Sequence, residues 1–326
     1  MRRTLATTAG LALTAALITP TAHAAPAKPA THAGQASHAA PAAPTAIAAA
    51  SATCWVEAGA ATTGRDYTDR FVHSTSPITV EPDHQIAEQP YGDLVVRLNS
   101  DMVWDRDTAI ETLTGSVVFG AALYDSRIRI DRVSGNGAIK ETTLTRIGGG
   151  WDRFRTLTRS NVTAGDPGFD RSYALRDDGV LFRWFVQPVN GRTVWKAAGS
   201  HPGFAAVKAV ALLSRTSTYD TLLVNTRGGA LYTVRIPLAS PMRPIVKPVR
   251  TRTWQGFESL NVNRCGQYGS LLLGIDKDTK AGYLYAVGHA NGTATVINSL
   301  GKVPATFAEP VDFRWSSYYD APPFGE

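Results

Sequence analysis

The sequence predicts an all-β fold, a five-bladed β-propeller of antiparallel four-stranded blades that follows a signal peptide and a flexible linker. Three markers that recur about every 50 residues carry this prediction: an aromatic segment, a Gly-x-Leu-aromatic motif and an Asn-Gly pair. A repeat of this length with turn signals in fixed phase is typical of propeller blades. A β-sandwich in which the similarity is accidental is the alternative.

Residues 1–24 have the features of a secretory signal peptide. Arg2 and Arg3 precede an apolar stretch over residues 5–18, and Ala22-His23-Ala24 forms an A-x-A cleavage site. We therefore predict that the protein is secreted to the extracellular space and cleaved after Ala24.

Residues 25–52 predict a flexible Ala/Pro-rich linker. They contain 14 alanines and four prolines, and Lys28 is their one charged residue. Such a segment buries too little apolar surface to offset its ordering entropy. Residues 53–326 are the predicted propeller domain.

The aromatic segment and the Gly-x-Leu-aromatic motif set the number of blades. The first marker ends at phenylalanines that are 50, 53 and 50 residues apart, namely Phe154, Phe204, Phe257 and Phe307. The second is clear in three copies, and weaker copies extend it to five, with leucine or isoleucine at Leu94, Ile128, Leu181, Leu231 and Leu284. The interval of 34 residues between Leu94 and Ile128 predicts a shortened blade.

The Asn-Gly pairs predict tight hairpin turns between the last two strands of a blade. They occur at Asn136-Gly137, Asn190-Gly191 and Asn291-Gly292. The chain ends soon after Phe307, so closure of the ring requires an N-terminal segment to join a C-terminal sheet. Residues 54–56 and 78–80 are the candidates.

Cys54 and Cys265 are the only cysteines of the chain. An even number in an exported protein favours a disulfide, and free buried thiols are the alternative. The predicted bond would fix the first ordered residues to a late part of the fold.

Two segments resemble the repeat of tachylectin-like proteins. One is Gly150-Trp151-Asp152-Arg153-Phe154 with the motif at Gly179-Val180-Leu181-Phe182, and the other is Trp254-Gln255-Gly256-Phe257 with Gly282-Tyr283-Leu284-Tyr285. The resemblance extends over roughly residues 90–315. It implies a five-bladed lectin that binds N-acetylated amino sugars in pockets between blades.

The candidate ligand-binding residues are Trp151, Asp152, Trp254 and Gln255. A sugar is recognised by a flat apolar ring that covers its C–H face and by planar polar groups that bind its hydroxyl or acetamide groups. The alternative is that both tryptophans only pack between blades.

Composition and motifs narrow the function classes. Arg2, Arg3 and Lys28 supply three of the six net positive charges, so the domain carries about +3, too little to predict a nucleic-acid partner. No later stretch is apolar enough to predict membrane insertion. No catalytic motif, metal site or cofactor site is recognised.

We therefore predict a secreted, monomeric lectin-like propeller that binds a glycan or cell-wall polysaccharide. Two alternatives remain open: a secreted glycan hydrolase or lyase, and a protein-binding propeller. A carboxylate pair in a pocket near the propeller axis would favour the enzyme, and an exposed apolar patch without sugar-stacking aromatic residues would favour protein binding.

Overall fold

The computed structural model describes residues 53–107, 109–133, 137–166, 168–190 and 192–326. Within these ranges the chain forms 22 β-strands and a single 3₁₀ turn, Trp151–Arg153, and no α-helix. The predicted all-β class is confirmed. The predicted signal peptide, its cleavage after Ala24 and the linker lie outside the described residues.

The first two blades contain irregular strands. Blade 1 has β1 (Trp55–Ala61), β2 (Tyr67–His73), β3 (Thr79–Val80) and β4 (His84–Ala87), and both short strands pair with β2. Blade 2 has β5 (Val96–Asn99), β6 (Met102–Arg106), β7 (Ile110–Phe119), β8 (Ala122–Asp131) and β9 (Ile139–Gly148), and both β5 and β6 pair with β7.

The next three blades are regular antiparallel four-stranded sheets, each built from continuous sequence. Blade 3 has β10 (Phe154–Ser160), β11 (Asp170–Arg176), β12 (Leu181–Val189) and β13 (Arg192–His201). Blade 4 has β14 (Val207–Arg215), β15 (Tyr219–Thr226), β16 (Leu231–Pro237) and β17 (Ile245–Arg250). Blade 5 has β18 (Ser259–Cys265), β19 (Gly269–Asp276), β20 (Ala281–Val287) and β21 (Ile297–Thr306).

The last strand, β22 (Val311–Ser317), closes the ring. It pairs antiparallel with β1, with Val311 opposite Ala61, and parallel with β6, with Trp315 opposite Met102. The expected N-terminal contribution to closure is therefore present, although the paired residues are 58–61 rather than 54–56, and residues 79–80 form the outer strand β3 of the same sheet. The predicted disulfide between Cys54 and Cys265 is confirmed, and it connects the start of β1 to the end of β18 across 211 residues.

The innermost strands of the blades form a closed circle. β5, β10, β14, β18 and β22 each contact the next, and β22 contacts β5. The core lies mainly between neighbouring blades, where apolar side chains of facing sheets pack together. Five blades therefore surround one axis, and the predicted propeller architecture is confirmed.

The structure corrects the predicted position of the third strand in the first two blades. Leu94 is exposed and precedes β5, and the third strand of blade 2 begins at Ala122-Leu123-Tyr124 rather than at Ile128. In blade 1 the corresponding strand begins at Tyr67. Ile128 matches the marker in sequence because it is another buried aliphatic residue, further along the same strand. With these starts the apparent interval of 34 residues disappears.

Asn291-Gly292 does not form the predicted two-residue hairpin. It lies in the longer loop between β20 and β21, where the Thr295 hydroxyl donates to the Gly292 carbonyl and accepts from the Asn291 N–H. Asn190 does lie between paired strands, since Val189 is opposite Arg192. Asn136 and Gly191 lie outside the described residues.

Candidate functional site

One aromatic position seals the joint between neighbouring blades. In four blades its backbone N–H donates to a carbonyl in the turn between the second and third strands of the preceding blade, at 2.9 to 3.0 Å. The residues at this position are Trp151, Phe204, Trp254 and Phe307. Their exposed fractions are nearly equal, at 5%, 6%, 5% and 6%.

This equivalence corrects the sequence alignment by three residues in two blades. Phe204 and Phe307 correspond to the tryptophans, and not to Phe154 and Phe257. Each tryptophan blade therefore has a second aromatic ring, and that ring packs on the first, with centroids 4.4 Å apart for Trp151 and Phe154 and 5.5 Å apart for Trp254 and Phe257.

The indole rings of both candidate tryptophans are enclosed. Trp151 also packs against Trp184 and Trp195, and Trp254 packs against Tyr285. This placement agrees with the inter-blade packing alternative. A ring in this position has no open face for a sugar, so ligand binding by Trp151 and Trp254 stays a prediction that requires the joint to open.

Asp152 and Gln255, the other two candidates, have exposed side chains. Asp152 is close enough to Arg97 to act on it electrostatically. The Gln255 carbonyl accepts a hydrogen bond from Lys208 Nζ at 2.5 Å. Asp152 and Gln255 are therefore neighbours of Arg97 and Lys208, which line the cavity on the propeller axis, but neither is itself a lining residue.

The axial cavity has a volume of about 350 Å³. It is lined by residues of all five innermost strands and by Lys277 from the β19–β20 turn. Its charged members are Arg97, Asp101, Arg155, Lys208, Glu258, Lys277 and Asp312. Sequence reasoning missed this site because its residues come from five units and converge only when the ring closes.

The four cationic side chains of the cavity make the same kind of contact. Each donates to a carbonyl of the segment that enters the next blade. The contacts are Arg97 to Phe154 at 2.8 Å, Arg155 to Phe204 at 3.1 Å, Lys208 to Gln255 and Lys277 to Glu309, both at 2.5 Å. Three of these cations, Arg97, Arg155 and Lys208, are the second residue of their innermost strand, whereas Lys277 lies in a turn. This recurrence is a sequence signal of the site, but it does not show that the residues converge.

Two carboxylates of the cavity are ion-paired with its lysines. Glu258 pairs with Lys208 and also accepts from the backbone N–H of Lys277 at 2.8 Å. Asp312 pairs with Lys277. Burial raises the pKa of Asp312, and the charge of Lys277 opposes that rise.

The third carboxylate, Asp101, accepts from the Thr158 hydroxyl at 3.0 Å. Burial raises the pKa of Asp101, and the nearby charge of Arg314 acts in the opposite direction. Asp101 and Asp312 therefore both favour the protonated form more strongly than an exposed aspartate does.

A separate acidic cluster lies where blade 1 meets blade 2. Glu57 and Asp69 are buried and hydrogen-bonded to each other. Burial, followed by the charge of Asp69, raises the pKa of Glu57 to about 8. The exposed ring of His84 lies 3.2 Å from Asp69 through Nδ1, and Trp104 is hydrogen-bonded to Glu57.

Within the described ranges, no group of three or more His, Cys, Asp or Glu side chains has the arrangement of a metal site. Over the same residues, no helix has the length and hydrophobicity needed to span a bilayer.

No protein-family model and no curated protein matches the chain. Solved structures with similar folds include two enzymes. The catalytic domain of the Coprinopsis cinerea GH62 α-L-arabinofuranosidase has 13% identity and a TM-score of 0.44, over 67% of this chain and 73% of that one. The Podospora anserina α-L-arabinofuranosidase in complex with cellotriose has 13% identity and a TM-score of 0.42, over 68% and 74%.

Similarity at this level does not determine what this chain binds or whether it catalyses a reaction. The comparisons also do not place the chain in the tachylectin-like family, so that resemblance stays a prediction.

Proposed function

We propose that the protein is a carbohydrate-binding propeller that takes up a glycan in the axial cavity. The observation that carries this proposal is the convergence of charged and amide side chains from all five blades on one cavity of about 350 Å³. This volume lies within the range of ordinary small-molecule sites, about 300 to 1,000 Å³.

The lining suits a ligand with many hydroxyl groups. Lysine and arginine side chains donate hydrogen bonds, and carboxylates accept them, so a sugar hydroxyl finds both kinds of partner. The apolar contribution comes from residues such as Leu98, Val210 and Val311.

The ion pairs favour binding over hydrolysis. A glycoside hydrolase requires two carboxyl groups that are free to act on opposite sides of the scissile bond. Glu258 and Asp312 are each held by a lysine that is itself anchored to a backbone carbonyl. Asp101 alone does not supply a pair.

A glycan hydrolase remains the second candidate because three carboxylates do line the axial cavity, and burial raises the pKa of Asp101 and of Asp312. A carboxylic acid that stays protonated can donate a proton to a leaving group. An assay for new reducing ends on every glycan that binds, with Asp101→Asn and Asp312→Asn for comparison, separates the two candidates.

The proposal includes the extracellular location and the partner class. The Cys54–Cys265 disulfide fits an oxidising compartment, where a cell-wall or other extracellular polysaccharide is accessible. Of the four residues predicted from sequence, Asp152 and Gln255 extend the proposed site beside its lining residues, while Trp151 and Trp254 stabilise the joints beneath them.

A glycan array that contains N-acetylglucosamine oligomers and peptidoglycan fragments tests the proposal on the full chain. Ser259 lines the cavity, so Ser259→Phe fills part of it. Ser299 is exposed on the outer strand β21 of the same blade, so Ser299→Phe is the matched control. We expect the first variant to lose glycan binding and the second to retain it. Equal binding by the two variants, or no binding of any glycan by the wild type, would contradict the proposal.

A further inference from the structure

Arg155, which lines the axial cavity, and Arg227 place two guanidinium groups at one backbone carbonyl. Arg155 belongs to β10 of blade 3, and Arg227 belongs to the turn between β15 and β16 of blade 4. Both donate to the Ala205 carbonyl, Arg155 at 3.1 Å and Arg227 at 2.6 Å. Two like charges therefore approach each other across the joint between blades.

No ion pair neutralises this arginine pair. Within the described part of the chain, neither Arg155 nor Arg227 has a carboxylate partner, and Nε of Arg155 is enclosed without a hydrogen-bond partner. The nearest carboxylates are already engaged, since Asp177 pairs with Arg153 at 3.0 Å and Asp178 pairs with Arg176 at 2.6 Å.

The electrostatics agree with this geometry. Burial, and then the charge of Arg227, lowers the pKa of Arg155, while Asp177 and Asp178 oppose the change only from a distance. A bound anion would relieve the repulsion between the two guanidinium groups. Carboxylates and sulfates match the planar fork of arginine, which binds them through two parallel N–H donors.

We propose that Arg155 and Arg227 bind an oxyanion, a carboxylate or a sulfate, and that the glycan taken up by the axial cavity is an acidic saccharide. The second part rests on the proposed function, whereas the anion site itself does not. The anionic group would lie beside the two guanidinium groups, between blades 3 and 4, and the sugar ring would extend into the cavity.

Titration calorimetry with matched probes tests the saccharide class. Trigalacturonate carries carboxylates that galactotriose lacks, and a sulfated and a desulfated trisaccharide form the second pair. We expect each acidic probe to bind at least about tenfold more tightly than its neutral counterpart at low salt, and the difference to shrink as ionic strength rises. Equal affinities within both pairs would overturn the inference.

Arg227→Gln is the decisive variant because Arg227 is exposed and its loss leaves the core intact. Arg243→Gln is the matched control, since Arg243 is also an exposed arginine of blade 4 but lies in the loop between β16 and β17, at the other end of strand β16. We expect Arg227→Gln to lower the affinity for acidic probes about tenfold, and Arg243→Gln to leave it unchanged. The same loss in both variants would show a general effect of net charge and would contradict the inference.

Inorganic sulfate separates this inference from the proposed function. Sulfate stabilises folded proteins in general, so the readout is the gain in melting temperature from sodium chloride to sodium sulfate of equal ionic strength. This gain should be larger in the wild type than in Arg227→Gln. If sulfate acts this way but no saccharide binds, the anion site stands and the proposed function fails. If neutral saccharides bind and sulfate raises the melting temperature of both proteins equally, the proposed function stands and the inference fails.

Discussion

Blades 3 to 5 and blade 1 differ in how they are held in the ring. Each regular blade is continuous in sequence and meets its predecessor through a buried tryptophan or phenylalanine anchored to a turn carbonyl. Blade 1 combines strands from both ends of the described chain, and it carries the disulfide and the buried Glu57–Asp69 pair. Its short outer strands, β3 and β4, replace one long strand.

The difference shows which features belong to the repeat and which belong to closure. The joints of the regular blades depend on local aromatic packing, which every copy of the repeat supplies. The joint between blades 5 and 1 keeps such an aromatic residue, Phe307, and adds two contacts of its own: the disulfide that holds β1 to blade 5 and the main-chain pairing that holds β1 to β22. The following predictions test this contrast in order of decreasing effect on stability.

Removal of the disulfide should have the largest effect. We expect Cys54→Ser combined with Cys265→Ser to lower the free energy of unfolding by about 5 kcal/mol, because a crosslink over so long a loop strongly restricts the unfolded chain. Urea unfolding measures the loss. Hydrogen exchange should show that β1, β2 and β22 lose protection before β14, β15 and β16, and a uniform loss would argue against a local role in closure.

Removal of a joint tryptophan should cost about 3 to 5 kcal/mol. Trp254→Ala leaves a cavity between blades 4 and 5 that the surrounding sheets cannot fill. Trp254→Phe should cost less than half as much, because Phe204 and Phe307 occupy the same position in other blades. Thermal or urea unfolding of both variants measures these two losses of stability. A small cost for Trp254→Ala, with loss of glycan binding, would instead favour the role in ligand stacking.

Glu57 should make the stability of the closing blade depend on pH. Its pKa rises from 4.5 to about 8 on folding, so the folded state keeps a proton that the unfolded state has already released between those two values. The free energy of unfolding therefore falls as pH rises through this window. Glu57→Gln should remove the dependence and, at pH 9, be about 1 to 3 kcal/mol more stable than the wild type.

Unfolding of Glu57→Gln and the wild type between pH 5 and pH 9 measures this effect. Asp69, Asp320, Glu111 and His84 are the neighbouring titratable groups, and they are the same in both proteins. Parallel stability profiles of the two proteins would refute the assignment of the pH dependence to Glu57.

Substitutions of the exposed residues next to the cavity lining should have the smallest effect on stability. Asp152→Ala and Gln255→Ala remove side chains that lie outside the packed joints, so each should change the free energy of unfolding by no more than about 0.5 kcal/mol. A larger cost would show that these side chains belong to the joint rather than to an accessible surface.

The sequence was sufficient for the architecture because a repeat displays the same constraints several times. The all-β class, the number of blades, the disulfide and the N-terminal contribution to closure follow from the glycine turns, the periodic aromatic residues and two cysteines. The predicted alignment of the repeat units is wrong in the first two blades, where the copies of the motif diverge. Leu94 imitates the motif in an exposed turn, and Tyr67 begins a strand without a preceding Gly-x-Leu signal.

The axial cavity was not predictable in the same way. Arg97, Arg155 and Lys208 lie 58 and 53 residues apart in the sequence, and their convergence depends on how the strands are arranged around the axis. From the sequence, the tryptophans are predicted to bind a ligand because each stands beside a planar polar residue, as in a sugar-stacking site. The backbone hydrogen bonds show that the tryptophans occupy the same buried position as Phe204 and Phe307. That position lies three residues before Phe154 and Phe257, with which the sequence aligns the two phenylalanines.

A structure of the chain with its strongest array glycan bound tests the central claim most directly. The account predicts that the glycan occupies the axial cavity, in contact with residues of at least three innermost strands, while the indole rings of Trp151 and Trp254 remain buried. A glycan seated between two blades, stacked on either indole ring with the axial cavity free of sugar, would contradict it.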